Sequence, residues 1–250
     1  MLSASRMRLE IVALSTLPEV RRGDDLAVLI SQAASQEGQT IDRSVVLAVA
    51  QKIVSKAEGA VVDLRKIQPS ALARSWAAEW GKDERLIELI LAQSRRIVKM
   101  DRGVLIAETL TGFVCANAGV DQSNVEGDDF ASVLPSDPDA SAQRLLARLA
   151  CGAVIITDTF GRPWREGLVE VAIGVAGLDP LDDHRGRTDR YGRKLAGTII
   201  AVADQLAAAA GLLMPKATGC PAVLIRGFQW QPAEGSARRL LRKPEQDLFR

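Results

Sequence analysis

Apolar positions fall into two kinds of block along this chain. Short runs rich in β-branched residues, "RLEIVAL" (8–14), "SVVLAVA" (44–50), "AVIITDTF" (153–160) and "PAVLIRGF" (221–228), predict buried strands. "GVLIAET" and "TGFVCANA" (103–118) predict two more near a turn, and the Gly-punctuated "GLVEVAIGVAGL" (167–178) is β-rich. Other blocks predict helices. Asp24 or Asp25 caps one running through Ile30 and beyond. "PSALARSWAAEW" (69–80) has Pro in its first turn and Gly81 as its stop. "DERLIELILAQSRRIV" (83–98) predicts a well-buried helix. "SDPDASAQRLLARLA" (136–150) has acids at its start and Arg near its end, as the helix dipole favours. "AGTIIAVADQLAAAAGLLM" (196–214) predicts a long Ala-rich helix. The polar tail, about 231–250, predicts a surface helix or partial disorder. Strands and helices mix without a clean βαβ repeat, so the predicted class is α+β. No Walker pattern, no GxGxxG after a strand and no internal repeat is present.

Composition narrows the chemistry. The 250 residues suffice for one large domain or two lobes with a substantial core. Lys plus Arg (32) and Asp plus Glu (31) balance to +1, which calls for neither nucleic acid nor an anionic membrane. No run reaches the roughly 18 apolar residues that span a bilayer, and no signal-type segment opens the chain, so a cytoplasmic protein is expected. Cys115, Cys151 and Cys220 lie far apart in or beside apolar runs and read as reduced buried thiols. With His184 the only histidine, chemistry must rest on carboxylates, hydroxyls, Lys, Arg and a metal.

Two stretches concentrate such groups. "FVCANAGVDQSNVEGDD" (113–129) goes from an apolar, strand-like start to Asn117, Asp121, Gln122, Ser123 and Asn124. "ITDTFGRPWREG" (156–167) leads a buried run to Asp158 and Thr159. Asp121, Asp158 and Thr159 are hard oxygen donors suited to Mg²⁺ or Mn²⁺ rather than zinc. Spacing alone equally allows Asp158 to cap a turn and Asp121 to start one. Arg162 and Arg165 flank Trp164, and "DHRGRTDRYGRK" (183–194) adds Arg187 and Arg193 among others. Such arginines suit a polyanionic small molecule, or form a solvated loop partly neutralised by Asp182, Asp183 and Asp189. RNA is the weaker reading, since only Tyr191 is there to stack a base. Lys52, Ser55 and Lys56 follow a predicted strand, where two lysines could hold phosphates.

The ordered set "LPEV", "GDDL", "SKAEG", "VCANAGVDQSNV", "LPSDPDASA", "ITDTFGRPWREG", "VAIGVAGL", "RGRTDRYGR", "AVADQLAAAAGLLM" and "PAVLIRG" closely resembles the coenzyme F420-0:L-glutamate ligase family, from about residue 8 to 230. The resemblance implies two interlocked α+β lobes in an intertwined homodimer. It also implies a GTP- and metal-dependent enzyme that joins L-glutamate to coenzyme F420-0, a deazaflavin with a phospholactate side chain, and then adds γ-linked glutamates. One or two Mg²⁺ or Mn²⁺ ions are implied, with K⁺ a further candidate, and GTP as cosubstrate. Asp121 and Asp158 would carry the catalytic metal, Thr159 a second ion, and Asn124 would contact GTP. Leu17, Pro18, Glu19 and Val20 match the family's N-terminal nucleotide segment, and Gln51, Lys52 and Lys56 positions near base or phosphates. Met214, Pro215, Lys216, Ala217, Thr218, Gly219 and Cys220 would close over GTP. Some relatives carry a metal-binding acid or amide where Lys216 falls and a Gly where Pro215 is; an ammonium cannot ligate a cation, which bears on the second ion. Arg162, Arg165, Arg187 and Arg193 are candidate substrate contacts. One domain over 1–250 is expected, without the C-terminal reductase domain of some bacterial relatives. A metal-dependent nucleotide hydrolase or phosphotransferase is the competing enzyme class, and an RNA-binding module a third reading.

Overall fold

The computed structural model describes residues 8–216 and 219–247. In chain order the elements are β1 (Glu10–Ala13), α1 (Leu26–Gln36), β2 (Val46–Ala50), α2 (Gln51–Ala57), β3 (Val61–Asp63), α3 (Ala71–Trp80), α4 (Glu84–Ala92), β4 (Ser94–Asp101), β5 (Val104–Thr109) and β6 (Val114–Ala116). There follow β7 (Phe130–Ser132), α5 (Pro138–Arg148), β8 (Ala153–Arg162), β9 (Arg165–Ala176), β10 (Asp182–Asp183), β11 (Ile199–Ile200), α6 (Val202–Gly211) and β12 (Ala222–Arg226).

The predicted α+β class holds. The main sheet runs β1-β12-β2-β8-β9. Its pairings are antiparallel except β2 with β8, which is parallel, with Val46 opposite Ala153 and Ala50 opposite Thr157. Central strands that must bury both faces are continuously apolar: Val46 to Val49, Ala153 to Ile156 and Ala222 to Ile225 are all solvent-free. Helices α1, α5 and α6 add Ile30, Leu145 and Leu206 to this core. Asp25 rather than Asp24 caps α1, accepting from the Val28 backbone at 3.3 Å. Ser70 caps α3, and Gly81 stops it in the left-handed conformation, φ 62°.

A parallel pair needs a crossover, and here residues 51–152 supply it and build a second core. Leu64, Ala73, Ile87, Ile90, Leu105, Ala107, Val120 and Ala131 pack together there. They come from α3, α4, β5 and β7, with Leu64 from the turn after β3 and Val120 from the segment after β6.

Several boundaries differ from the sequence expectation. Helix α4 stops at Ala92, and Ser94–Asp101 is a strand instead, hairpin-paired with β5 through Arg102 and Gly103, both at positive φ. The Ala-rich helix occupies only Val202–Gly211. β6 is three residues long and buries only Cys115. β8 does not end at Asp158; it runs on to Arg162 because β9 folds back on it. The start of the tail is anchored rather than solvated: Ala237 is fully buried and its backbone N–H donates to Asp139 Oδ1 at 2.8 Å.

Candidate functional site

Strand direction decides where the site lies. β1, β2 and β8 point the same way, so their carboxyl ends share one edge of the sheet, and antiparallel β12 begins there. Ligands favour the carboxyl ends of parallel strands, where loops diverge over a rigid base. The segments leaving this edge are 14–20 after β1, α2 after β2, and 214–221 before β12. With residues 157–159 of β8 and the 121–124 loop from the second core, they line a cleft of about 370 Å³.

The cleft brings together most of the residues singled out from the sequence: Leu17, Pro18, Glu19, Val20, Gln51, Lys52, Lys56, Asp121, Asn124, Asp158, Thr159, Met214, Pro215, Lys216, Gly219 and Cys220. Ala217 and Thr218 lie outside the described residues. The four arginines stand elsewhere. Arg162 and Arg165 close the β8–β9 hairpin, where Arg162 donates to the carbonyls of Glu166 and Gly167. Arg187 pairs with Asp182 at 3.0 Å, and the Arg193 backbone N–H donates to Asp189 at 2.9 Å.

Asp121 is delivered by an unusual piece of backbone. Asn117, Ala118 and Gly119 are consecutive left-handed residues, with φ of 54°, 51° and 73°. Each non-glycine residue held there costs about 1–2 kcal/mol. The turn closes with Val120 N–H donating to Asn117 O at 2.9 Å. Asp121 then bridges Ser132 of β7, N to O at 3.1 Å and the reverse at 2.8 Å. Such strain persists where surrounding structure over-determines it, and sites are where it collects.

Electrostatics divide the cleft. Lys52 Nζ donates to Asp121 Oδ2 at 2.9 Å and to Ser132 Oγ at 2.7 Å, and its side chain is 16% exposed against 41% for Asp121. Burial disfavours the charged Asp121 carboxyl. Hydrogen bonds from the Ser123 hydroxyl and backbone, with the Lys52 ammonium, outweigh that and hold it below the usual carboxylate range. Asp158 is the opposite case. Burial pushes its carboxyl up to about 7, and the nearby Glu170 charge adds to this against a hydrogen bond from the Thr159 backbone and weaker help from Lys52 and Gln51. Lys56 forms an ion pair with Glu19 at another wall. Cys115 behind the site is driven up to about 12, first by burial and then by the Asp158 charge, so it stays a thiol.

Glu170 of β9 lines the cleft and was not anticipated from the sequence. Its only sequence signal is an acid inside the apolar run "LVEVAI". Thr157 was missed too; its Oγ1 is buried without a hydrogen-bond partner, a cost that a ligand atom would relieve.

The donor set fits a hard divalent cation. Asp158 and the hydroxyls of Thr157 and Thr159 supply oxygen, with Glu170 behind Thr159 and Asp121 on the facing loop. Among the described residues no group of three or more His, Cys, Asp and Glu is arranged for a metal. Mg²⁺ is commonly held by one or two carboxylates, the remaining positions going to water and substrate phosphates.

Fold and cleft together describe a mixed-sheet α+β protein with a polar cleft at its strand ends. Residues 15–227 match the profile of the F420-0:gamma-glutamyl ligase family. The chain belongs to that family. It is 47% identical over 252 residues to the coenzyme F420:L-glutamate ligase of Methanothermobacter thermautotrophicus, covering 98% of this chain and 100% of the relative. The protein of the same name from Methanopyrus kandleri is 47% identical over 255 residues, with 98% of each chain covered. That of Methanocaldococcus jannaschii is 38% identical over 253, again with 98% of each.

Proposed function

We propose that this protein is a GTP- and metal-dependent ligase that forms an amide between L-glutamate and coenzyme F420-0, then extends it through γ-linked glutamates. The observation that carries the reading is the convergence of Lys52, Lys56 and Lys216 with Asp121 and Asp158 in one cleft. Near-full-length relatives named as F420:L-glutamate ligases give the reaction class.

In this reading a carboxylate of F420-0 attacks the γ-phosphorus of GTP. An acyl phosphate forms and GDP leaves with the bridging oxygen. The glutamate amine then attacks the activated carbonyl, phosphate departs and the amine loses its proton. The first step brings a carboxylate against a triphosphate, so offsetting like charge is the main catalytic demand. Asp121 and Asp158 would hold a divalent ion and Thr159 a second, and such ions would supply Lewis-acid stabilisation of phosphate oxygens. Lys52 and Lys56 hold phosphate, the 17–20 and 214–220 segments enclose the nucleotide, and the partly apolar walls limit water at the acyl phosphate. A cytoplasmic homodimer belongs to the same reading; Arg187 and Arg193 would serve the acidic substrate or the partner subunit, and Arg162 and Arg165 the substrate.

The test is nucleotide release with single omissions. GDP and phosphate should appear together only when GTP, Mg²⁺ or Mn²⁺, F420-0 and glutamate are all present, with ATP a poor replacement. Equal phosphate release without either acceptor would establish a hydrolase instead.

A further inference from the structure

We propose that Glu170 is a positioning residue that orients the Thr159 hydroxyl so that its lone pairs face the cation site; the inference rests on the metal-dependent reading above. The two residues are register partners on adjacent antiparallel strands, Thr159 of β8 opposite Glu170 of β9. Directly opposed side chains lie on the same face, and here Thr159 Oγ1 donates to Glu170 Oε1. A threonine hydroxyl has one proton and two lone pairs. With the proton committed to a carboxylate, both lone pairs remain for the cleft, which both residues line.

The fold holds Glu170 in that pose from behind. At the end of α6, Gly211 lies so close that a Cβ there would sit 2.6 Å from Glu170 Cγ and 3.1 Å from its Cβ. Only a residue without a side chain lets α6 press on the glutamate stem. The strand is also adjusted next to the site: the β8–β9 register shifts between Ile156 and Thr157, immediately before Asp158 and Thr159. Bulges of this kind re-aim side chains beside functional sites. Partners behind a metal ligand fix its orientation, and losing one typically weakens metal binding by about 10–100-fold.

The experiment is a Mn²⁺ titration of the full chain with GDP present, free ion counted by electron paramagnetic resonance. Thermal unfolding serves as a folding control. Glu170→Ala should weaken Mn²⁺ binding by about 10–100-fold. Glu170→Gln, whose amide oxygen accepts the same hydroxyl, should stay within about threefold of the parent protein. Thr159→Val should bind as weakly as the Thr159→Val, Glu170→Ala double variant, because Glu170 acts through Thr159. Three results overturn the proposal: unchanged binding in Glu170→Ala; Glu170→Gln as weak as Glu170→Ala, which would make the charge a direct ligand; or a further loss in the double variant. Parent protein that binds no Mn²⁺ would overturn the metal reading itself, a distinct failure from binding that is indifferent to Glu170.

Discussion

Lys52 Nζ lies 2.9 Å from Asp121 Oδ2, although 69 positions separate the two residues in sequence. The pair joins the two cores at the cleft: Lys52 opens α2 at the end of a main-sheet strand, and Asp121 follows the left-handed turn of the second core. In the proposed reaction it places a cation where a triphosphate would approach a carboxylate. Lys52→Met keeps the stem and removes the charge. It leaves Asp121 and Ser132 without their shared donor, so a stability loss of about 1–3 kcal/mol is expected in urea unfolding. GTP affinity should fall at least about tenfold. Unchanged GTP affinity by calorimetry would remove Lys52 from the phosphate site.

Asp158 predicts a pH signature. Its folded-state carboxyl is pushed to about 7 against an ordinary value of 3.8, chiefly by burial. Between those values the folded protein holds a proton that the unfolded chain has lost. Stability of the metal-free protein therefore falls as pH rises from about 4 to 7 and levels off above, by at most about 1.4 kcal/mol per pH unit. Asp158→Asn lacks this group, so its stability advantage should open over the same window while ligation is nearly abolished. In the proposed metal-dependent reading the Asp158 carboxylate is the ligand, so Mn²⁺ affinity of the parent should drop below pH 7, approaching tenfold per unit. A flat stability difference between pH 4 and 7 would contradict the buried-carboxyl account.

The left-handed turn before Asp121 makes an independent prediction. Gly119 has φ 73°, and a Cβ there would fall 2.5 Å from Leu134 Cγ. Gly119→Ala meets both backbone strain and overpacking, for a loss of about 2–4 kcal/mol. Ala118→Gly, at φ 51°, trades a buried methyl for relief of strain and should stay within about 1 kcal/mol of the parent. Thermal unfolding of both variants checks this. A harmless Gly119→Ala would mean that the turn is not held as described.

Part of this cleft was legible from residue types: "VDQSN" and "ITDT" carry hard oxygen donors whose chemistry did not depend on knowing the register, whereas "LPEV" and "MPK" entered only through the family resemblance. Glu170 was not legible for the opposite reason. A lone acid in "LVEVAI" gains meaning only when pairing sets it opposite Thr159. The Ser94–Asp101 strand was hidden inside an apparent helix because its β-branched pair, Ile97 and Val98, adjoins a strongly helical run. The Asp101–Val104 hairpin, with Arg102 and Gly103 both at positive φ as hairpin turns prefer, overrode that helical run. Likewise β8 continued past Asp158 because Pro163 and Trp164 form a tight return, Trp164 at φ 58°. The tail looked solvated by composition, yet Asp139 binds both the Ser236 hydroxyl and the Ala237 backbone.

Lys216 is exposed and lines the cleft, as do Met214 and Gly219. Lys216→Gln keeps most of its length without the charge. A phosphate contact predicts GTP binding weaker by about 1–3 kcal/mol and a steeper dependence on metal concentration. Superimposable GTP isotherms across a metal titration would assign the lysine to solvent, where a charge is worth little.

The most direct test is mass spectrometry of the deazaflavin after incubation with this protein, GTP, Mg²⁺ or Mn²⁺ and L-glutamate. A product heavier than F420-0 by one or more glutamyl units, formed in step with GDP and absent with Asp158→Asn, is expected. GTP consumption with F420-0 left at its original mass would contradict the ligase.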